Sequence, residues 1–341
     1  MSGARAPGKL VLTGEYAVLD GAPAVVTAVD RRAQVTVEPA AACRVQALGP
    51  GIAPAAFSLA ADGTLEWQAD RAGEDYRLLG AVTETLAQDG PLPTERPFDL
   101  RLDTAAFYSG TDKLGLGSSA ALTVALTAAL CRHFGRAFDD ALAYEAHRRL
   151  QGGEGSGLDI AASIAGGLIR FVVGDGGRDV VANTPSVESL RWPNGLVALF
   201  VWTGRSARTS PRVRRYREWR RSPAAVGPAG RLARSAAEAA DAWRAGETQA
   251  VLEATAAYAR ALDGLGAAAG LDIGGGGHAR LARLADGAGV VYKPSGAGGG
   301  DLGLALAGDR RRLQSFRAAA DRAGFRPLPL RPDDGGLATV E

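Results

Sequence analysis

Residues 115–120 read GLGSSA, and the apolar run ALTVALTAALCRHF follows them at 121–134. The run is apolar almost all round a helical projection, so we expect a buried helix from about Ser118 to Phe134. Glycines before a helix let backbone N–H groups turn toward a ligand, and the first helical turn leaves donors unpaired with a partial positive charge. The stretch therefore predicts an anion cradle; the alternative is a plain helix cap by Ser118 or Ser119.

Two familiar nucleotide-binding patterns do not account for this stretch. Taken literally it fits G-x-G-x-x-G/A, the dinucleotide-binding fingerprint. No clear strand leads into it, however, and no strand ending in an acidic residue follows about 20 residues on, which disfavours a nicotinamide oxidoreductase. It is not a Walker A loop either, because no Gly-Lys-Ser/Thr closes it.

Two other glycine-rich stretches lie further along the chain. GEGSGLD at 153–159 places Asp159 at a helix start, where the helix dipole stabilises a carboxylate, so an ordinary N-terminal helix aspartate is the alternative to a functional one. KPSGAGGGD at 293–301 is flanked on both sides by apolar, strand-like residues. A flexible linker is therefore disfavoured there, and we expect the backbone to come close to a ligand or to another loop.

Lysine is rare in this chain. Only three of its 39 lysines and arginines are lysines, which leaves 36 arginines. Lys9, Lys113 and Lys293 all lie inside or against glycine-containing stretches. Lysine is a compact point charge that fits a tight phosphate or carboxylate site, although chance survival of three lysines would give the same pattern.

Length and composition limit the function classes. At 341 residues the chain predicts two domains, and 46% hydrophobic with 22% charged residues is typical of a globular protein. A net charge of +2 gives no polyanion signature, so we expect no nucleic-acid partner. No apolar run reaches the roughly 18 residues of a membrane span and no secretory segment is evident, so we expect a cytoplasmic protein. Cys43 and Cys131 are expected to be buried free thiols.

Periodicity predicts a mixed order of strands and helices. Strands are expected at 9–19 and 24–39 around a turn at 20–23, with an edge hairpin region over 40–75. The predicted helices are 77–88, 118–134, 139–151, a short one from 158, 229–245, 248–263, one ending near 288, and 309–322. Further strands are expected at 97–105, within 195–204, on both sides of the 293–301 loop, and near 328.

The arginines of 212–221 are spaced as on a helix. They would form either a solvated helix face beside an anionic ligand or a patch that binds nucleic acid. The domain boundary is expected near 175–193. His133, His147 and His278 show no metal-ligand spacing and are interpreted as structural or surface residues.

Taken together, APGKLVLTGEYAVL (6–19), GLGSSAALTVA and KPSGAGGGDLGLAL resemble the three conserved motifs of the GHMP kinases. Within that superfamily GEYAVL, GSGLDIAASIAGG, the strand that ends in Trp-Thr-Gly, and KPSGAGGGD are most similar to the phosphomevalonate kinases. The resemblance spans residues 5 to 307. It implies an α+β fold of two domains: an N-terminal ATP-binding domain (1–180) with a left-handed β-α-β unit, and a ferredoxin-like C-terminal domain (181–341).

The resemblance also implies roles for individual residues. Asp159 would be the catalytic carboxylate and Lys9 its partner. ATP would lie along Lys113, Gly115, Leu116, Gly117, Ser118, Ser119 and Ala120, with Mg²⁺ near Ser118. The acceptor pocket would be formed by Tyr16, Ser156, Gly157, Trp202, Thr203, Gly204, Arg205, Arg208, Ser210, Lys293, Ser295, Gly296, Ala297, Gly298 and Asp301. The metal-binding glutamate of mevalonate kinases has no clear match, and His147 and Arg148 stand in that region.

The implied reaction is the ATP-dependent phosphorylation of mevalonate 5-phosphate to mevalonate 5-diphosphate, a step of isoprenoid biosynthesis. Such an acceptor requires cations to bring two polyanions together, and Lys9, Lys113, Arg205 and Arg208 are suitably placed in the sequence. The expected partner is a small phosphorylated molecule, bound by a monomer or a homodimer. Alternatives are another GHMP enzyme, such as mevalonate kinase or a diphosphomevalonate decarboxylase, and a catalytically silent sensor of ATP and a metabolite.

Overall fold

The computed structural model describes residues 2–49, 51–153, 155–174, 185–207 and 209–340. Within these ranges the strands are β1 Ser2–Thr13, β2 Ala24–Pro39, β3 Cys43–Leu48, β4 Ala55–Leu59, β5 Leu65–Trp67, β6 Phe98–Asp103, β7 Tyr108–Ser109, β8 Asp112–Lys113, β9 Leu168–Val172, β10 Ser186–Leu190, β11 Val197–Trp202, β12 Val291–Ser295, β13 Leu302–Ala307, β14 Arg326–Leu328 and β15 Ala338–Val340. The α-helices are α1 Ala72–Asp75, α2 Arg77–Ala87, α3 Ser118–His133, α4 Asp140–Leu150, α5 Leu158–Ala165, α6 Thr209–Arg220, α7 Val226–Ala245, α8 Thr248–Ala269, α9 His278–Ala288 and α10 Arg310–Arg322.

The first sheet is built around the long strand β2. Strand β1 runs antiparallel to β2 along its length, from Ser2 opposite Val37 to Thr13 opposite Val25. On its other side β2 pairs with β9 through its first residues and with β6 through its last ones. Strands β3, β4 and β5 continue from β6 to one edge, as expected for 40–75, and β10 lies at the other edge.

Strands β3 and β6 pair in parallel, and the chain between them passes through helix α2. Helix α3 packs across β1 and β2 and is buried nearly all round, as its uniformly apolar sequence predicted. Alternate residues of a strand point to the same face of the sheet, and here that face is covered by helices. The core between them includes Val35, Val37, Leu100 and Leu102 of the strands and Val124 and Ala128 of α3. Cys43 and Cys131 are free and buried, as expected.

The second sheet has the order β12-β13-β11-β14, with every neighbouring pair antiparallel. In chain order its elements read strand, helices, strand, strand, helix, strand, which is the ferredoxin-like arrangement expected for this half of the chain. Helices α9 and α10 cover one face of this sheet through Leu281 and Phe316. The other face packs against β1, because Phe200, Leu302 and Leu304 share a core with Leu10 and Leu12.

The predicted strand at 9–19 is wrong in its second half. Strand β1 ends at Thr13, and Ala17–Asp20 forms a single 3₁₀ turn. Gly14 has φ +104°, and a Cβ there would lie 2.4 Å from the Cα of Ala24. Tyr16 also adopts a positive φ, of 60°. The chain therefore turns sharply at Gly14, and the side chains of Glu15 and Tyr16 contact Lys293 and Ala297.

The division into 1–180 and 181–341 stays a prediction, since its boundary falls within 175–184, outside the described residues. The second half of the chain also contributes strands to the first sheet, because β10 pairs with β9 and β15 pairs with β1. No helix of the described chain combines the length and the hydropathy needed to cross a lipid bilayer.

Candidate active site

The two residues predicted to be catalytic form an ion pair. The Lys9 Nζ lies 2.9 Å from the Asp159 Oδ1, and their side chains are 13% and 30% exposed. Lys9 lies on β1 and Asp159 in the first turn of α5. A pair that is only partly covered keeps both charges accessible to a ligand, unlike a fully buried pair.

Local structure holds this pair in place from both sides. Gly157 precedes α5 with φ +80°, a conformation that favours glycine and turns the chain into the helix. One turn after Asp159, the buried Ser163 Oγ donates a 2.8 Å hydrogen bond to the carbonyl oxygen of Pro7. Because Pro7 is two residues from Lys9, this bond fixes α5 relative to the strand that carries the lysine.

The glycine loop before α3 contacts both Lys9 and the third motif. The Lys9 N–H donates a 2.9 Å hydrogen bond to the Leu116 carbonyl. Gly117 has φ +76°, and a Cβ there would lie 3.2 Å from the Lys9 side chain; Gly115 has φ +73°, and a Cβ there would lie 2.6 Å from the Asp301 Cγ. These glycines therefore allow neighbouring loops to approach one another. No side chain of the described chain caps α3 at Gly117, so its first-turn N–H groups are suited to an anion.

The family resemblance implies a bound Mg²⁺ ion. The described part of the chain has no cluster of three or more His, Cys, Asp or Glu side chains that could hold a metal. Magnesium in phosphoryl-transfer enzymes is usually held by one or two protein oxygens together with substrate phosphates. The buried hydroxyl of Ser118, at the start of α3, is an oxygen donor of this kind. The residues fit a magnesium ion that arrives with nucleotide phosphates.

A cavity of about 230 Å³ opens beside the ion pair. Eight of the residues predicted for the site line it: Lys9, Tyr16, Ser156, Gly157, Asp159, Ser210, Gly296 and Ala297. Burial raises the pKa of Tyr16, so its hydroxyl stays protonated at neutral pH and donates a 2.7 Å hydrogen bond to the Ala297 carbonyl. The cavity thus combines the first motif, the Asp159 loop, the start of α6 and the third motif.

Other residues predicted for the acceptor pocket lie elsewhere, and Arg208 is outside the described residues. Trp202 is buried in the second sheet, with the Arg326 guanidinium 4.3 Å from its ring centre. Lys293 and Ser295 point into the junction between the sheets. Thr203, Gly204, Arg205, Gly298 and Asp301 belong to two loops that pack on each other and are absent from the cavity lining.

Asp301 joins those two loops. Its N–H donates to the Arg205 carbonyl at 2.7 Å, and its Oδ1 accepts a 3.0 Å bond from the Ala207 N–H. Burial raises the pKa of this carboxyl, while the Ala207 N–H and the charges of Lys9 and Lys113 oppose the rise. Gly300, beside it, would press a Cβ to 2.6 Å from the Arg205 carbonyl oxygen. Close packing between loops therefore requires the glycines of the third motif, and only Gly296 and Ala297 of that motif reach the cavity.

Sequence reasoning missed several lining residues, including Glu15, His147, Gln151 and Thr209. His147 is buried, and burial lowers its pKa, so the imidazole is neutral at pH 7. Its Nε2 lies 3.3 Å from the Gln151 Nε2. Their position in the sequence could have indicated that they lie near Asp159. His147 and Gln151 are one helical turn apart at the end of the helix that leads into GEGSGLD.

Several known proteins resemble this chain in sequence and in fold. The profile of the GHMP kinases N terminal domain matches residues 78–167. The chain is 33% identical, over 97% of its length and of its relative's, to a phosphomevalonate kinase from Streptomyces sp. (strain CL190). It is 36% identical, over 49% of each chain, to a mevalonate kinase from Methanothermobacter thermautotrophicus. The Streptococcus pneumoniae phosphomevalonate kinase, solved in complex with phosphomevalonate and AMPPNP, has the same fold: the TM-score is 0.78, with 22% identity over 97% of this chain and 100% of that one.

Proposed function

The chain belongs to the GHMP kinase family and is a phosphotransferase, and we propose that it transfers the terminal phosphoryl group of ATP to mevalonate 5-phosphate. The observation that carries this proposal is the Lys9–Asp159 pair, which stands where the helix-opening glycine loop meets the small cavity. A phosphoryl donor on one side of the pair and an acceptor on the other would meet at Lys9.

The cavity suits a small anion. Its volume of about 230 Å³ lies below the roughly 300–1,000 Å³ of pockets for larger ligands. Thr209 and Ser210, the first residues of α6, line it, so the positive end of a 12-residue helix borders the cavity. Lys9 adds an ammonium group, whose charge the Asp159 carboxylate partly offsets. These features favour a phosphorylated acceptor over a neutral one.

The chemistry then follows from the acceptor's own charge. A phosphate monoester has a second pKa near ~6 and is mostly dianionic at pH 7, so one of its oxygens can attack the γ-phosphorus of ATP without a general base. The bond from that phosphorus to the β–γ bridging oxygen breaks, and ADP leaves. Lys9 neutralises charge between the two polyanions, and Asp159 holds the ammonium in position at 2.9 Å.

The nucleotide side is proposed from the family membership and from the start of α3, which no side chain of the described residues caps. The triphosphate would lie along Lys113 and Gly115–Ala120, on the N-terminus of α3. Bound Mg²⁺ would supply further neutralisation of the phosphate charge, with the Ser118 hydroxyl as its protein ligand. ATP and Mg²⁺ are therefore the proposed cofactors.

The test is ADP release by purified protein with Mg·ATP, comparing mevalonate 5-phosphate with free mevalonate. We expect turnover with the phosphate alone, and loss of turnover in Lys9→Met. Turnover with mevalonate alone would replace the proposal with a mevalonate kinase. Turnover with neither, together with stabilisation by Mg·ATP in a thermal shift assay, would favour a metabolite sensor.

A further inference from the structure

Lys293 is a fully buried cation at the junction of the two sheets. Its Nζ lies 2.5 Å from the Glu15 Oε1, with the two side chains 0% and 3% exposed. It also donates to the Pro294 carbonyl at 2.6 Å and stands 5.9 Å from the centre of the Tyr258 ring. The ammonium is thus committed to protein partners, and it does not reach the cavity.

The pair connects distant parts of the chain. Glu15 follows β1 in the first sheet, whereas Lys293 lies on β12 in the second. The same Glu15 oxygen accepts a 3.2 Å hydrogen bond from the Gly296 N–H, and the Glu15 carbonyl accepts a 2.8 Å bond from the Tyr258 hydroxyl. One carboxylate therefore fixes the loop of the third motif against the turn of the first.

The atoms held in this way form one wall of the cavity. Glu15, Tyr16, Gly296 and Ala297 all line it. Two more bonds tie the same segments together: the Tyr16 hydroxyl donates to the Ala297 carbonyl at 2.7 Å, and the Ser295 Oγ donates to the Val11 carbonyl at 2.9 Å. A shift of Glu15 or Lys293 would move this wall.

Stability alone does not explain such a pair. Removing two charges from water is costly, and apolar residues of similar volume often stabilise a core as well or better. The Glu15 Oε2 is buried without a hydrogen-bond partner in the described residues, so the pair is not fully satisfied. A buried pair that is incompletely satisfied and adjoins a ligand cavity is better explained by the position that it imposes.

We propose that Glu15 and Lys293 are positioning residues for the phosphoryl acceptor. They act through Gly296, Ala297 and Tyr16, and they set the acceptor wall at a fixed distance from the Lys9–Asp159 pair. The inference rests on the proposed function in assigning the cavity to the acceptor, and it assigns Lys293 a role other than direct substrate contact.

The first experiment compares Glu15→Ala, Lys293→Met and the double variant Glu15→Leu/Lys293→Met, which removes the acceptor of the Gly296 N–H together with both charges. We expect each single variant to raise the acceptor KM about 10- to 100-fold, the cost of a small misplacement, while the Kd for a fluorescent ATP analogue stays within a few fold of the wild type. The double variant leaves no unpaired buried charge and should regain thermal stability, yet retain the raised acceptor KM. Arg136→Met, which removes hydrogen bonds to Leu86, Gly90 and Pro91 away from the cavity, is the control for destabilisation alone.

An acceptor KM that follows thermal stability across all four variants would overturn the proposal. A second readout does not depend on the acceptor's identity: hydrogen exchange of the peptide spanning 294–298 should be faster in Glu15→Ala than in Arg136→Met. Equal exchange in the two would also contradict it. Failure of the proposed function would appear separately, as absence of wild-type turnover with mevalonate 5-phosphate.

Discussion

At the scale of single residues, the role proposed for the Asp159 carboxylate depends on whether the phosphoryl acceptor is an alcohol or a phosphate. Its Oδ1 is 2.9 Å from the Lys9 ammonium, so its accessible role is to orient that cation. An alcohol acceptor would need a base for its proton, whereas a phosphate dianion carries its nucleophilic electron pairs already. The same ion pair can therefore serve either chemistry, with different sensitivity to loss of the charge.

Asp159→Asn tests this difference. With mevalonate 5-phosphate as acceptor, we expect kcat to fall by less than about 10⁴-fold, the upper end for general-base catalysis, because only the positioning of Lys9 is lost. Steady-state ADP release gives the value, with Lys9→Met as the comparison expected to lose more. A larger loss in Asp159→Asn would mean that the carboxylate accepts a proton in the reaction.

His278 contacts the backbone of the third motif at Gly300. One ring nitrogen lies 2.8 Å from the Gly300 carbonyl and the other 2.8 Å from the Tyr292 hydroxyl. The carbonyl can only accept, so Nε2 carries the proton and Nδ1 accepts from Tyr292. Burial lowers the pKa of His278 to about 4, with the nearby Lys293 charge acting in the same direction and the Gly300 bond against it.

This pKa predicts a loss of stability in acid. An unfolded histidine has a pKa of about 6.5, so between pH ~6.5 and ~4 the unfolded chain binds a proton that the folded chain does not. The free energy of unfolding should therefore fall as the pH drops through this window, by up to about 1.4 kcal/mol per pH unit from this group. His278→Gln should show a shallower dependence in urea unfolding at pH 6.5, 5.5 and 4.5.

His133→Gln is the matched control, because His133 is only half-buried and burial lowers its pKa as well. Its substitution should change the slope less than His278→Gln does. Equal slopes in wild type and His278→Gln would show that the imidazole is protonated in the folded protein at these pH values.

At the scale of elements, the loop between β8 and α3 depends on where its glycines stand. Gly115→Ala places a side chain at φ +73° and a Cβ 2.6 Å from the Asp301 Cγ. Gly110→Ala changes a glycine of similar φ, +62°, with no atom within 4 Å of the new Cβ. Both variants carry a backbone penalty of roughly 1 kcal/mol, but only Gly115→Ala also separates the loop from Asp301.

We therefore expect Gly115→Ala to raise the KM for ATP by about tenfold or more, since a loop displaced by even 1 Å misplaces the phosphates. Gly110→Ala should lower the melting temperature slightly and leave that KM unchanged. Similar KM values in the two variants would show that the contact with Asp301 does not set the loop's position.

Features that depend on a local sequence pattern could be predicted, whereas features that depend on contacts between distant segments could not. Helix α3 ends within a residue of its prediction, since the fourteen consecutive small or apolar residues from Ser118 to Cys131 have few alternatives. The turn of Tyr16 and the burial of Lys293 could not be predicted, because both result from contacts between segments about 280 residues apart. Strand β15 is three residues long and carries no periodicity, so only its pairing with β1 defines it. The proximity of Lys9 and Asp159 could be predicted because both lie inside recognisable motifs, whereas His147 and Gln151 do not.

At the scale of the whole molecule, the last part of the chain crosses from the second sheet back to the first. After β14, the Arg331 N–H bonds to Asp30, and the Asp333 N–H to the Ala28 carbonyl. The Asp333 carbonyl accepts from the Gly167 N–H at 2.7 Å, just beyond the helix that carries Asp159. This segment therefore braces the far end of α5 while joining the two sheets.

Arg32 is the main side chain that holds this returning segment. Its guanidinium makes two 2.8 Å hydrogen bonds to the Asp333 carboxylate, another of 2.9 Å to the Gly336 carbonyl, and one to the Gly335 carbonyl. The pair is largely covered, at 22% and 17% exposure, so solvent screens it only in part. Neighbouring Arg31, by contrast, contacts Asp30 beside it in the chain.

Arg32→Met should lower the free energy of unfolding by about 2 kcal/mol, the range for charged hydrogen bonds, whereas Arg31→Met should change it by less than about 0.5 kcal/mol. Urea unfolding followed by both tryptophan fluorescence and circular dichroism gives the values. Because the segment ties both sheets together, the two probes should report one transition in wild type and separate in Arg32→Met. Coincident transitions with an unchanged midpoint would mean that the returning segment does not couple the sheets, and that their shared core around Leu10 and Phe200 is sufficient.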